Sequence, residues 1–195
     1  MEERRGSQYP NPRMSLVLQH FYDHHPEVVD RAGQTFFSYV QATQERIPKE
    51  KIEQLFHEWF VYDFHLKTNK TTIETYVYRN PDNLNDEDLE LMRQAGESSY
   101  SNHFWISEVN PEKETLLLKE CNSDKSFEVL DATASQNVPS NAGLIAARLI
   151  KLEGTWYFSS DPIYFLPIPP ASSEHGEPFI DIVKLHYGIG GPPGN

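Results

Sequence analysis

The sequence has one cysteine, no excess of basic residues and no long apolar run. Cys121 is the single cysteine among 195 residues, so no intrachain disulfide can form. No apolar run approaches the ~20 residues that a membrane-spanning helix needs, and the charged first residues lack the apolar stretch of a signal peptide. These absences exclude a disulfide-stapled scaffold. We expect a cytoplasmic protein with no membrane partner.

Basic residues are scarce along the whole chain. Lys and Arg number 17 against 29 Asp and Glu, which gives a formal net charge of −12. A nucleic-acid-binding protein normally presents a basic surface that displaces counterions from the phosphates. We therefore expect no nucleic-acid partner, and the charge favours a more basic protein as the partner.

Aromatic residues, in contrast, are plentiful. They make up 12% of the chain, which argues against disorder, while the 38% of hydrophobic residues make the chain polar but not disordered in composition. The length fits one domain of ordinary size. We expect a flexible arm over 1–13, one domain over 14–168 and a Pro/Gly-rich tail over 169–195. Within the domain, the patterns predict a helical part over 14–98 and a β-rich part over 99–168.

The clearest helical pattern lies in the first half. Apolar residues recur there at spacings of three and one: Ile52, Leu55, Phe56, Trp59 and Phe60. This spacing is typical of the buried stripe of an amphipathic helix, which we expect to begin near Ile47-Pro48. Three positions past Phe60 the same stripe reaches a carboxylate, Asp63.

Local signals indicate the ends of other helices. Pro26 suits the first turn of a helix. Thr71 and Glu74 stand at the spacing of a capping box. Asn85 precedes three acidic residues, which the helix dipole favours in a first turn, and Gly96 is the expected stop of that helix.

The second half of the chain changes to short apolar runs separated by turn residues. The runs are 103–106, 116–118, 127–130, 144–152 and 156–158, and the segment before 144–152 is expected to be a polar loop. Glu153-Gly154-Thr155 predicts a hairpin between the last two. We expect an α+β protein, in which an N-terminal helical layer packs on a small C-terminal antiparallel sheet or partly open β-barrel.

Several short motifs resemble those of a known family. They are Trp59-Phe60-x-x-Asp63-Phe64, Ala147-Arg148-Leu149-Ile150, Gly154-x-x-Tyr157 and Leu166-Pro167. Their order resembles a family of uncharacterised bacterial proteins, some of which carry a Cys/His-rich zinc motif called SEC-C, over residues 50–167. This chain lacks the zinc motif and has no Asp before the strand with the Arg. The resemblance implies a shared fold unit and no particular activity.

Residues typical of catalysis are few. His20, Asp23 and His24 form the most ligand-rich patch, and on a helix the two imidazoles would stand one turn apart, as in some metal sites. No third His, Asp or Glu is tied to the imidazoles by sequence, and Pro26 follows closely, so we expect no preformed metal site. The sequence has no Gly-rich phosphate loop and no G-x-S-x-G motif, and we expect no cofactor.

Four aromatic residues are candidates for a binding surface: Trp59, Trp105, Trp156 and Tyr157. They either fill the core between helices and sheet or line a groove for a peptide or another protein. The sequence leaves both interpretations open.

Asp63 and Arg148 are two charges in apolar surroundings. Asp63 continues the helix stripe, and strand alternation places Arg148 on one face with Leu144 and Ile150. A buried carboxylate needs a partner, and the planar fork of Arg suits it. We predict a structural ion pair between helix and sheet. In the alternative, the helix ends before Asp63, which caps a turn, and Arg148 extends to solvent.

The leading functional interpretation is a non-enzymatic cytoplasmic protein-interaction module. The alternative is a metal-dependent hydrolase or nuclease-like enzyme that uses His20 and His24 with Asp23 and Asp63. The lack of a catalytic motif favours the first interpretation.

Overall fold

The computed structural model describes residues 12–40, 49–138, 143–160 and 162–165. The helices are α1 (Met14–His24), α2 (Pro26–Val40), α3 (Lys49–Tyr62), α4 (Thr72–Arg79), α5 (Asp86–Ser98) and α6 (Ala132–Asn137). The strands are β1 (Tyr100–Asn110), β2 (Thr115–Glu120), β3 (Ser126–Leu130), β4 (Leu144–Leu152), β5 (Thr155–Phe158) and β6 (Ile163–Phe165). The protein is therefore of the α+β class.

Parts of the expected organisation fall outside these ranges. They include residues 1–11 of the expected arm, the expected helix start at Ile47-Pro48 and the whole tail over 169–195. Within the described ranges, no helix has both the length and the apolar character that crossing a membrane requires.

Helices α3 and α4 form where the sequence signals predict them. The buried side of α3 carries the apolar stripe, including Phe56 and Trp59. At the start of α4, the backbone N–H of Glu74 donates to the Thr71 hydroxyl, and the backbone N–H of Thr71 donates to the Glu74 carboxylate at 2.7 Å. This arrangement confirms the predicted capping box.

Helix α5 begins as predicted but ends later. The backbone N–H of Asp88 donates to the Asn85 side chain at 2.8 Å, which caps the first turn. The helix does not stop at Gly96, as the sequence predicted, but continues to Ser98. A Cβ atom at Gly96 would lie only 3.3 Å from Cγ2 of Ile73 in α4. The glycine therefore allows α4 and α5 to pack closely and does not terminate the helix.

The strands pair in a ring. β1 pairs with β2, β2 with β3, β3 with β5, β5 with β4, and β4 pairs with β1. All these pairings are antiparallel except that of β3 with β5, which is parallel at Val129 and Trp156. The expectation of an antiparallel sheet is therefore wrong at this pairing, and the sheet is mixed. The reason is that α6 and β4 lie between β3 and β5 in the chain. The chain reverses its direction from β4 to β5, so β5 runs in the same direction as β3.

Helix α6 replaces a segment that the sequence suggests is a polar loop. The backbone N–H of Ala134 donates to the Asp131 carboxylate at 2.8 Å and so caps the helix. Only Ala134 and Ser135 of this helix are buried. The loop expectation was wrong because a six-residue helix with two small buried residues leaves no periodic apolar pattern.

Two hydrophobic clusters meet at β4. The strands form one cluster, which includes Phe104, Leu118 and Leu149. Helices α1 to α5 form the other, together with Ile150 and Leu152. Because successive side chains of a strand point to opposite faces, β4 contributes to both clusters. A polar residue on its helix-facing side therefore enters an apolar interface.

Two residues with positive φ close the hairpin between β4 and β5. Leu152 pairs with Thr155, and between them Glu153 and Gly154 have φ angles of 50° and 87°. Positive φ at both central residues is the pattern of a type I′ turn. The hairpin predicted around Gly154 is confirmed.

We expect Gly154→Val to lower the free energy of unfolding by about 1 kcal/mol or more, because a β-branched residue is strained at positive φ. A Cβ atom there would meet no atom within 4 Å, so the loss reports backbone strain alone. Gly33→Ala in α2 is the control, since its Cβ would be in ordinary contact with Phe37 at 3.9 Å and Ala favours helix. Chemical denaturation measures both variants, and an unchanged midpoint for Gly154→Val would contradict the turn.

Candidate functional site

The structure brings Arg148 of β4 and Asp63 together between the sheet and the helices. The guanidinium donates to both carboxylate oxygens of Asp63, from Nη1 at 3.3 Å and from Nη2. The Arg148 side chain is 1% exposed and that of Asp63 is 24% exposed. Helix α3 ends at Tyr62, and Asp63 extends its last turn through a hydrogen bond from its N–H to the Trp59 carbonyl at 2.9 Å. Asp63 therefore reaches Arg148 from just beyond the helix.

Three further residues surround the guanidinium. Nη1 of Arg148 donates to the Ser99 hydroxyl at 2.6 Å, and Nε lies 3.9 Å from a carboxylate oxygen of the buried Glu58. The Tyr62 ring lies 5.1 Å below the guanidinium carbon. Burial alone would lower the pKa of Arg148, but the carboxylates of Asp63 and Glu58 outweigh it and raise that pKa above its usual value. The guanidinium is therefore held in its charged form.

The Glu58 carboxylate continues the network away from Arg148. The Ser160 hydroxyl donates to it at 2.6 Å, and the Gln54 side-chain amide donates to Ser160 at 2.6 Å. Gln54 and Glu58 belong to α3, whereas Ser160 follows β5. The network therefore ties α3 to the middle of β4 through Arg148 and to the segment after β5 through Ser160.

The burial and charges of this cluster shift the pKa values of Tyr62 and Arg148 upward. Burial, and next to it the charge of Glu58, raises the pKa of Tyr62 to about 12, so its hydroxyl stays protonated in the physiological range. Ser160 has a carboxylate acceptor but no imidazole among its hydrogen-bond partners described above. Since a serine nucleophile needs a base of suitable pKa, the arrangement is suited to holding elements together.

A second buried polar cluster, around Glu120 at the end of β2, was missed by sequence reasoning. Its carboxylate accepts hydrogen bonds from the Tyr100 hydroxyl, the Asn102 side-chain amide and the Ser123 hydroxyl. Glu120 and Asn102 are both buried. The signal was available in the strand alternation, since Asn102 shares a strand face with Phe104, and Glu120 shares one with Leu118, so both polar residues fall on the buried face.

All three hydrogen-bond donors to Glu120 are neutral groups. Burial opposes the charged form of Glu120, but the hydrogen bonds from Ser123 and Tyr100 outweigh burial, and its pKa lies below the usual 4.5. Lys125 also contributes, with its ammonium 5.1 Å from the centre of the Tyr100 ring. The carboxylate is thus ionised at neutral pH.

The four candidate aromatic residues do not come together. Trp59 is buried in the helical cluster and Trp156 packs edge-on against Phe127 at 5.2 Å in the strand cluster. Tyr157 packs against the helical cluster on the other face of β5. Trp105 differs, because it is 41% exposed on the outer side of β1.

His20, Asp23 and His24 lie on α1, and the two imidazoles contact each other with ring centres 5.2 Å apart. The ring of His25 contacts His20 as well, at 5.5 Å. In the described part of the chain, no group of three His, Cys, Asp or Glu side chains could hold a metal ion. The His20 ring also packs against the ring of Tyr76, at 5.5 Å.

We expect Asp63→Asn and Arg148→Met each to destabilise the protein by about 3 kcal/mol, because each leaves a buried charge without its main partner. The double variant should lose at least about 1 kcal/mol less than the sum of the single losses. Chemical denaturation measures this double-mutant cycle. Arg93→Met, which removes an exposed ion pair of α5, is the control and should change stability little. Additive losses at Asp63 and Arg148 would contradict the coupling.

For the second cluster, we expect Glu120→Gln to destabilise the protein by about 2 kcal/mol at pH 7, because hydrogen bonds to a charged acceptor are lost. The pKa of Glu120 is lower in the folded than in the unfolded state. Its stabilising contribution is therefore complete above pH 4.5 and is lost as the pH falls through the folded-state pKa. Denaturation between pH 7 and 3 should show the gap between variant and wild type closing, and a constant gap would argue against an ionised Glu120.

Comparison with known proteins gives one finding. A family model, described as a family of unknown function, DUF7986, matches residues 33–167. No curated protein and no solved structure gives a significant match. The family match is consistent with the expectation of an uncharacterised family. Since it covers most of the chain, the protein belongs to this family of unknown function, DUF7986.

Proposed function

We propose that the protein is a non-enzymatic interaction module that binds a basic protein segment on the outer face of β1, β2 and β3. The observation that carries this proposal is the exposure of Trp105 on that face. An exposed Trp on a strand is unusual for a residue that normally fills a core, and Trp is enriched at binding surfaces. A cytoplasmic location suits a chain with one cysteine.

The ring of paired strands supports the proposal that a partly open barrel lies behind this face. The order β1-β2-β3-β5-β4 with return to β1, a parallel β3–β5 pairing and a helix between β3 and β4 match the connectivity of OB-fold barrels. One residue pair joins β3 to β5, so the ring is weakest there. Barrels of this kind bind oligonucleotides and oligosaccharides on the face of strands 2 and 3 and on the adjoining loops, so they place a binding surface on these strands without choosing a protein partner.

Two cross-strand rows make up the proposed partner face. In the first row Trp105 stands opposite Lys119 of β2 and Leu144 of β4. In the second row Leu117 lies between Glu108 and Glu128. We refer to these residues of β1, β2 and β3, apart from Leu144, as the Trp105 face.

The charges on and near the Trp105 face favour a basic partner. Glu108 and Glu128 are exposed on both sides of Leu117, against one exposed lysine, Lys119. The whole chain carries −12, so long-range attraction also favours a basic protein and disfavours nucleic acid. A Lys or Arg side chain of the partner can stack on the indole of Trp105 while its charge meets the carboxylates.

The polar clusters support binding over catalysis. Arg148 is matched by carboxylates and Glu120 by three neutral donors, so neither cluster presents an activated nucleophile or base in the described residues. The alternative of a metal-dependent hydrolase gains no support from His20 and His24, whose rings pack against each other.

We expect a fluorescein-labelled extended peptide with alternating lysine and valine to bind the full chain, and its affinity to fall with added salt. Trp105→Ala should weaken binding by about tenfold, since buried Trp anchors dominate interfaces. Tyr78→Ala is the control, because Tyr78 is equally aromatic and 79% exposed but lies on α4. Fluorescence anisotropy measures binding.

Two further probes test whether the partner is basic and whether it is a protein. A peptide with glutamate in place of lysine should not bind, and single-stranded dT12 should bind more weakly than the basic peptide. Equal losses of peptide affinity for Trp105→Ala and Tyr78→Ala would show that the peptide does not bind the Trp105 face. Tighter binding of dT12 would overturn the choice of a protein partner.

A further inference from the structure

Helix α1 covers part of the helical core with few buried residues. Val17 and Phe21 are its buried side chains, and the Phe21 ring packs edge-on against Phe60 of α3 at 5.5 Å. Met14, Leu16 and Leu18 pack against the same core but are only partly buried. The contacts on the two flanks of α1 therefore add to the apolar contacts that hold the helix in place.

One flank of α1 rests on α4 through a histidine. The His20 ring meets the Tyr76 ring nearly at a right angle, with centres 5.5 Å apart. The same His20 ring also touches the rings of His24, one turn later, and of His25, at the junction with α2. Three imidazoles therefore share one small volume beside α4.

The other flank of α1 rests on α3 through a second histidine. The Tyr22 hydroxyl lies 3.4 Å from Nε2 of His57, and the two rings are 6.2 Å apart. His57 is half-buried, whereas His65, beyond the end of α3, is exposed. Both flanks of α1 thus include an imidazole that is partly removed from water.

The charged groups around these imidazoles come from every neighbouring element. Burial is the largest cause that lowers the pKa of His20. The charges of His24, His25 and Arg79 lower it further, whereas Asp82, which accepts a hydrogen bond from the Tyr76 hydroxyl, raises it. The net pKa of His20 lies below 6.5.

The remaining charges act from α2 and α3. Glu27 lies 3.9 Å from the His25 ring. Burial lowers the pKa of His57 below 6.5, and Glu53 opposes this effect.

We propose that α1 is a proton-sensitive cover, which mild acid loosens from α3 and α4 so that the apolar surface beneath Val17 and Phe21 becomes accessible. Neutral imidazoles fit both flanks, but a proton on His20 places a positive charge against the rings of His24 and His25 and near Arg79 of α4. Opening α1 returns the rings of His20 and His57 to water, where they accept protons more readily. Opening therefore becomes more favourable as the pH falls below 6.5, the value of an unfolded histidine.

The pH range in which α1 opens distinguishes this opening from general acid unfolding. The contribution of Glu120 is complete above pH 4.5, so it does not change between pH 7.5 and 5.5. A loss of α1 protection in that interval therefore reports on histidines. The inference stands apart from the Trp105 face, since it concerns the helices alone.

Hydrogen–deuterium exchange of the full chain at pH 7.5 and 5.5, corrected for intrinsic exchange, tests the proposal. We expect amides of α1 to exchange about threefold faster or more at pH 5.5, while those of β4 keep their protection. The double variant His20→Gln with His57→Gln should show no such acceleration. His65→Gln, the control at an exposed histidine, should behave like the wild type.

Two outcomes would overturn the proposal: unchanged α1 exchange in the wild type, or the same acceleration in the double variant. If the double variant does not fold, NMR titration of the histidine rings in the wild type replaces it. Loss of α1 amide protection must then follow the titration of His20 or His57, and a midpoint below pH 4.5 would also overturn the proposal.

Discussion

The fold depends on one buried charge, the guanidinium of Arg148. A cation on the helix-facing side of β4 would make the apolar interface unstable unless a carboxylate reached it with good geometry. Asp63 does so because it extends the last turn of α3, and Glu58 and Ser99 complete the surroundings. The pair fixes the position of α3 along β4, which apolar contacts alone do poorly because they are non-directional.

Strand β4 connects this ion pair to the rest of the molecule. Its inward side chains complete the strand cluster and its outward side chains complete the helical cluster. It also pairs with β1, β5 and β6. A shift of β4 by one residue would exchange its two faces and place Arg148 in the strand cluster, so the ion pair also fixes the register of the sheet.

Sequence reasoning succeeded where a pattern extended over several residues. The stripe that includes Phe56 and Trp59 predicted α3, and strand alternation placed Arg148 on one face with Ile150. Gly96 was misread because a glycine that ends a helix and one that admits a neighbouring helix look alike in sequence. The parallel pairing of β3 with β5 depends on distant parts of the chain, so no local pattern contains it. The strand alternation indicated the buried positions of Asn102 and Glu120, but not that the two side chains meet.

The position of the ion pair in the chain has a consequence for folding during synthesis. Arg148 follows Asp63 by 85 residues. When the helices have already left the ribosome, Arg148 is not yet available to pair with Asp63 and Glu58. The apolar face that β4 will cover is then open to water. The nascent helical half therefore carries a local excess of negative charge beside exposed aromatic residues. We expect charge repulsion between two such nascent chains to oppose their aggregation until β4 is synthesised.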